Sequence, residues 1–184
     1  MPMPVKILLK VSGPQRLSQE ERNALILKRL NISNRNVTYT ESGQPYIWMP
    51  GDFSLSHKDN VFLAVLNTDQ RYSVGCDLEI FPTSTDFPFD VLYGRLPQQE
   101  RLFVDSNTSG LTWEKKLLSL FVCKEALFKA SADLKNRSAH LVFLEKKEDM
   151  CSFLYRVQGV TRGHLFVEDQ QDHLLGVCLL ERTT

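Results

Sequence analysis

Apolar and polar residues follow two rhythms along this chain, and the change between them divides it into elements. Residues that alternate in character read as half-buried strands. Apolar residues three and four apart read as one face of a helix. Val5 to Val11 predicts a first strand, ended by Gly13-Pro14. Leu17 to Leu30 predicts a helix with Leu25, Ile26 and Leu30 on its inner face, and Ser18 with Glu21 makes a capping box at its start. Val37 to Thr40 and Tyr46 to Trp48 predict short extended pieces on either side of the Ser42-Gly43-Gln44-Pro45 turn. Phe53 to Ser56 alternates as a half-buried strand should. Val61 to Leu66 is wholly apolar; its length and β-branching favour a buried strand over a helix start. Ser73 to Ile80 predicts another strand.

Beyond a loop with two prolines, Phe89 to Tyr93 and Pro97 to Val104 predict short helices, the second with Pro97 in its first turn and Glu100 near its positive end. Thr112 to Ala132 predicts the best helix, with Thr112 as N-cap. Leucines, Phe121, Val122, Ala126, Phe128 and Ala130 occupy most of its circumference, which marks a core helix. Four strands follow: Leu141 to Leu144, Ser152 to Val157, His164 to Val167 and Leu174 to Leu180. Polar turns separate them, so they predict an antiparallel meander packed on the long helix. His140, His164 and His173 read as loop or strand-end residues.

Strand, helix, then several strands is the order in both halves. The predicted fold class is α+β: two similar subdomains related by a pseudo-twofold, residues 1–80 and 81–184, each with a long helix packed on a mostly antiparallel sheet. The cleft between them is the natural ligand site. One chain supplies both of its sides, so a monomer is expected.

Composition narrows the function classes. A 184-residue chain that is 42% hydrophobic can build a core. Lys plus Arg equals Asp plus Glu at 22 each, so no global charge draws it to nucleic acid or to an acidic membrane. Any anion site must be a local cluster. Met1 to Pro4 lacks the pattern of a signal peptide and no apolar run is long enough for a bilayer, so a cytoplasmic protein is expected. Cys76, Cys123, Cys151 and Cys178 are widely spread without metal-ligand spacing, which favours buried free thiols over disulfides or zinc.

The candidate chemistry begins at Val74 to Ile80. Asp77 and Glu79 are two apart and share one strand face, while Cys76, Leu78 and Ile80 point the other way. Adjacent like charges resist burial. Two readings stand at this point: an edge strand with its acidic face in water, or paired carboxylates that hold a hard cation such as Mg²⁺. On the long helix, Glu125 and Lys129 share a face. Alone, they would be an ordinary surface ion pair worth about 0.3–0.5 kcal/mol.

Three pieces, Phe53-Ser54-Leu55-Ser56-His57, Gly75-Cys76-Asp77-Leu78-Glu79 and Phe121-Val122-Cys123-Lys124-Glu125-Ala126-Leu127-Phe128-Lys129-Ala130, occur in that order. Their order and spacing resemble the Sfp-type 4′-phosphopantetheinyl transferases, with a Ser-His motif, a Gly-x-Asp-x-Glu strand and a Lys-Glu-(Ala/Ser)-x-x-Lys helix. The Gly43-Gln44-Pro45-Tyr46 turn is similar to a further family element. The resemblance runs from about Leu17 to Ala132 and is diffuse over the C-terminal meander; any one motif is weak, and all of them in order are strong.

The resemblance implies the 4′-phosphopantetheinyl transferase fold. It implies Mg²⁺-dependent transfer of phosphopantetheine from coenzyme A to a serine of an apo acyl or peptidyl carrier protein, with release of adenosine 3′,5′-bisphosphate. By the same resemblance, Asp77, Glu79 and Glu125 would hold the metal. Glu125 would be the base, directly or through water, and Lys129 would reach the phosphates or protonate the leaving oxygen. Ser56 and His57 would contact coenzyme A, with His57 on its 3′-phosphate or diphosphate. Arg22, Lys124 and Lys129 complete the expected coenzyme A contacts, and Lys124 points about 100° away from Glu125 on the helix.

The sequence departs from the family at Gln44, where a lysine is usual, and at Val122, where a small polar residue is usual. Arg16, Arg22 and Lys58 are candidates to restore the missing positive charge. Lys115, Lys116 and Lys124 are expected to meet an acidic carrier domain. The same carboxylates would also suit a Mg²⁺-dependent nucleotide or diphosphate hydrolase, and a catalytically silent module that binds coenzyme A or carriers is the non-enzymatic alternative.

Overall fold

A computed structural model describes residues 4–10, 18–29, 37–39, 45–47, 51–81, 87–107, 109–131 and 139–182. The first helix, α1 (Gln19–Arg29), follows strand β1 (Val5–Lys10). Its capping box forms as predicted: Glu21 N–H donates to Ser18 Oγ at 3.2 Å, and Ser18 N–H donates back to Glu21 Oε2 at 2.8 Å. Strands β2 (Val37–Tyr39) and β3 (Pro45–Ile47) pair as a two-stranded ribbon. Then come β4 (Asp52–Lys58), β5 (Val61–Asn67) and β6 (Tyr72–Ile80). The short helices are α2 (Phe89–Gly94) and α3 (Gln98–Asp105), and the long one is α4 (Trp113–Ala130). Thr112 caps α4 by accepting the Lys115 N–H. The meander is β7 (Ala139–Lys147), β8 (Met150–Val157), β9 (Val160–Asp169) and β10 (His173–Glu181).

These elements make an α+β fold with antiparallel sheets. One sheet has the order β1-β5-β4 and the other β6-β10-β9-β8-β7. The apolar run at Val61 to Leu66 is the central strand of the first sheet and is buried on both faces. Phe62 and Ala64 face Ile26 of α1. Val61, Leu63 and Val65 face Val74, Cys76 and Leu78 of β6 and Leu175, Val177 and Leu179 of β10. On the far side of the larger sheet, α4 and α3 pack Leu117, Leu118, Val122 and Phe103 against Phe153, Tyr155, Leu165 and Cys178. The layers therefore run helix, small sheet, large sheet, helix, with period-two alternation sorting each strand's side chains between two cores.

The last strand before residue 81, β6, is hydrogen-bonded to β10, so the sheet of the C-terminal half takes in the end of the N-terminal half. All four cysteines are free and buried, as the spacing predicts. His164 differs from the expectation: it sits inside β9, opposite Leu179 and Leu154, because β9 begins four residues before the apolar run that marked it. Among the described residues, no helix is long and apolar enough to cross a membrane.

Candidate active site

Strand β6 is the edge strand of its sheet, yet it does not face water. Three side chains of β4, each two residues from the next, accept the free backbone donors of β6. Asp52 Oδ2 takes the Val74 N–H at 2.9 Å, Ser54 Oγ the Cys76 N–H at 2.9 Å and Ser56 Oγ the Leu78 N–H at 3.2 Å. Unpaired strand-edge donors are costly when buried, and these side chains satisfy them. The alternation Phe53-Ser54-Leu55-Ser56 thus works with its polar residues inward: the two serines are buried, while Phe53 and Leu55 are half-buried.

The other face of β6 meets α4. A Cβ at Gly75 would strike the Ala126 carbonyl, and one at Gly176 of β10 would strike the Val122 side chain. Two glycines therefore let the helix lie close against the sheet. Gly75, Asp77 and Glu79 share one face by period two, so close contact at Gly75 brings the carboxylates beside Glu125 and Lys129.

The solvated-edge reading of Asp77 and Glu79 is overturned by their burial, at 7% and 8% exposed. Lys129 Nζ donates to Asp77 Oδ1 at 2.7 Å and to Ser56 Oγ at 3.0 Å, and Ser56 Oγ donates to Asp77 Oδ1 at 2.9 Å. Lys58 Nζ lies 2.7 Å from Glu79 Oε1. Glu125 is half-buried, and its pKa is raised. Burial is the largest cause, and the negative charge of Asp77 adds to it; Lys129 opposes the rise and Glu79 adds a smaller push. Lys129 is therefore not the arm of an isolated Glu125–Lys129 surface pair, because it reaches across to β6 and β4.

Among the described residues, no three His, Cys, Asp or Glu side chains form a ready-made metal cluster. The donor set nonetheless has the right chemistry for a hard cation. Asp77 and Glu79 each already hold a positively charged group at 2.7 Å, and Glu125 feels both carboxylates.

Other expected site residues lie elsewhere. His57 projects from the face of β4 opposite Ser56, where its ring lies 5.8 Å from that of Phe62. Lys124 is turned to α3, with Nζ 2.8 Å from Glu100 Oε2; Glu100 is 0% exposed and also accepts the Leu141 N–H at 3.0 Å. The lysines expected to face a carrier are engaged internally. Lys116 is 4% exposed and donates to the Val104 and Ser106 carbonyls at the end of α3. Lys115 pairs with Asp169 at 2.5 Å. A lysine stem long enough to reach a helix end or a buried carboxylate overrides a pattern read from charge alone. The Arg22 side chain, Arg16 and Gln44 lie outside the described residues.

Two residues gain importance from the geometry. Glu100 read only as a helix-start acid and is a buried counter-ion. Lys58 stood as one of three substitutes for a missing lysine; its place two residues after Ser56 was the signal that it shares the carboxylate side. Comparison with protein-family models and with curated proteins finds no match for this chain.

Proposed function

We propose that this protein is a phosphopantetheinyl transferase with the two-halved fold of that family. It would move the 4′-phosphopantetheine arm of coenzyme A to a serine of an apo carrier protein. The observation that carries this reading is the meeting of three motifs far apart in sequence. Lys129 bonds Ser56 and Asp77, and the charges of Asp77 and Glu79 act on Glu125. The reaction forms a bond from the carrier serine oxygen to the β-phosphorus and breaks that phosphorus's bond to the bridging oxygen of the diphosphate. Adenosine 3′,5′-bisphosphate leaves.

Asp77, Glu79 and Glu125 would hold Mg²⁺, which when bound neutralises diphosphate charge and polarises the phosphoryl group. Glu125 would accept the serine proton, directly or through water. Lys129 would donate its proton to the oxygen that leaves. Ser56 holds Lys129 and Asp77 together from the β4 side, so the ammonium and the carboxylate keep a common position. The partner would be a small acidic carrier domain, the working state a monomer and the compartment the reducing cytoplasm, which suits four buried free thiols.

Mass spectrometry of apo carriers incubated with coenzyme A, Mg²⁺ and this protein tests the reading. The expected result is the mass of one phosphopantetheine arm added to the carrier. Hydrolysis of coenzyme A without any carrier modification would instead assign the site to a diphosphate hydrolase.

A further inference from the structure

Among the described residues, the candidate site holds three carboxylates, Asp77, Glu79 and Glu125, against two ammonium groups, Lys58 and Lys129. The two lysines arrive from different elements and are not equivalent. Lys129 comes from the last turn of α4, is partly covered, and bonds both Asp77 and Ser56. Lys58 ends strand β4, and its side chain is 47% exposed against 11% for Glu79. An exposed ion pair is weak because water screens it, and a lysine on a flexible stem leaves such a pair at little cost.

The period of β4 decides which residues share this side. Ser54 and Ser56 bond β6, and Lys58 continues the same alternation onto Glu79. His57 lies on the other face, near Phe62. Among the described residues, the cation paired with the second carboxylate is Lys58.

We propose that Lys58 is a diphosphate-binding residue of this site, parked on Glu79 and handed over to the anion when a divalent cation occupies the carboxylates. This rests on the transferase reading's metal and diphosphate, and it gives Lys58, until here one of three candidate substitutes for a missing charge, a defined and metal-dependent role. The charge balance gives the reason. Among the described residues these two ammonium groups face three carboxylates, a net negative charge that repels a diphosphate. A divalent cation reverses that sign and competes directly with Lys58 for Glu79. The released ammonium then stands beside the metal, where a charge-assisted bond to a phosphate oxygen is strong. Metal binding would in this way create the anion site it needs.

The handover predicts opposite changes in two affinities. In the full chain, Lys58→Met should bind Mg²⁺ alone about threefold more tightly, because a competitor for Glu79 is gone. The same variant should bind adenosine diphosphate at saturating Mg²⁺ about fivefold more weakly, because a phosphate contact is gone. Lys58→Arg should keep both affinities near those of the natural chain. Calorimetric titration reads both ligands. Unchanged Mg²⁺ affinity, unchanged adenosine diphosphate affinity, or a fall in both would overturn the handover; a fall in both is what simple local damage produces. Opposite shifts without phosphopantetheine transfer would leave Lys58 in its role and reject the transferase reading. Transfer by the natural chain with unshifted affinities in Lys58→Met would do the reverse.

Discussion

Helix α4 meets acidic side chains on two sides, and the two meetings differ in balance. Towards α3, Lys124 pairs with Glu100 at 2.8 Å, and the second oxygen of Glu100 accepts the Leu141 N–H at 3.0 Å. One negative charge, fully buried, is matched by one positive charge and one backbone donor. Towards β6, Lys129 pairs with Asp77 at 2.7 Å beside a second carboxylate at Glu79 and a third at Glu125. Here acid is in excess, and Glu125 responds with a raised pKa. A balanced buried pair fixes how helix, helix and strand sit together. An unbalanced cluster stores a demand for a cation or a proton. Two lysines of one helical motif thus divide into one in a balanced pair and one beside an excess of acid.

The sharpest way to break this contrast is to exchange its consequences. Glu125→Ala should lower phosphopantetheine transfer by about a thousandfold, the scale of a lost general base. Its denaturation midpoint should hold or rise, because one of three like charges is removed. A variant that unfolds, or one that keeps full transfer, would place Glu125 with Glu100 among the structural acids.

Lys124→Met should do the opposite. It leaves the Glu100 carboxylate buried without its ammonium, a defect of about 2–4 kcal/mol in unfolding free energy. Turnover per folded molecule should stay within about threefold, since Lys124 points to α3 and not to Asp77. Chemical denaturation and active-fraction kinetics separate the two readouts. A large loss of turnover at unchanged stability would make Lys124 a contact of the substrate.

The smallest effect sharpens the electrostatic side. A carboxyl whose folded pKa is raised keeps its proton longer in the folded chain than in the unfolded one. Folding therefore loses stability as pH rises from the ordinary glutamate value through the raised one, and the loss is complete above it. For Glu125 this loss should be small, because the side chain is half-exposed and water screens it. Unfolding measured across that window should show the slope in the natural chain and a flatter line in Glu125→Gln. An equal slope in both would remove Glu125 from the excess-acid cluster.

Much of the architecture was legible because it rests on local rules. The capping box at Ser18 and Glu21, the Thr112 cap, the buried strand at Val61 to Leu66 and the antiparallel meander all follow from spacing and turn chemistry. The pairing of Asp77 with Glu79 on one face was equally legible, since strand alternation needs no partner. Lys116 misled the charge pattern: a lysine near the start of a helix looked exposed, yet its stem runs inward to the end of α3. The motif Ser56-His57 hides that neighbouring strand residues face opposite ways, so His57 sits beside Phe62 and apart from the Ser56 contacts.

By itself the sequence determined most of the elements, their faces and the set of acids and lysines proposed to carry chemistry. Which lysine meets which acid was decided only by the tertiary structure. Gly75 and Gly176 let α4 close on the sheet, and the Asp52, Ser54 and Ser56 side chains seal β6 from water. Those contacts join residues more than twenty positions apart. Their strength depends on distance and burial, which no local pattern encodes.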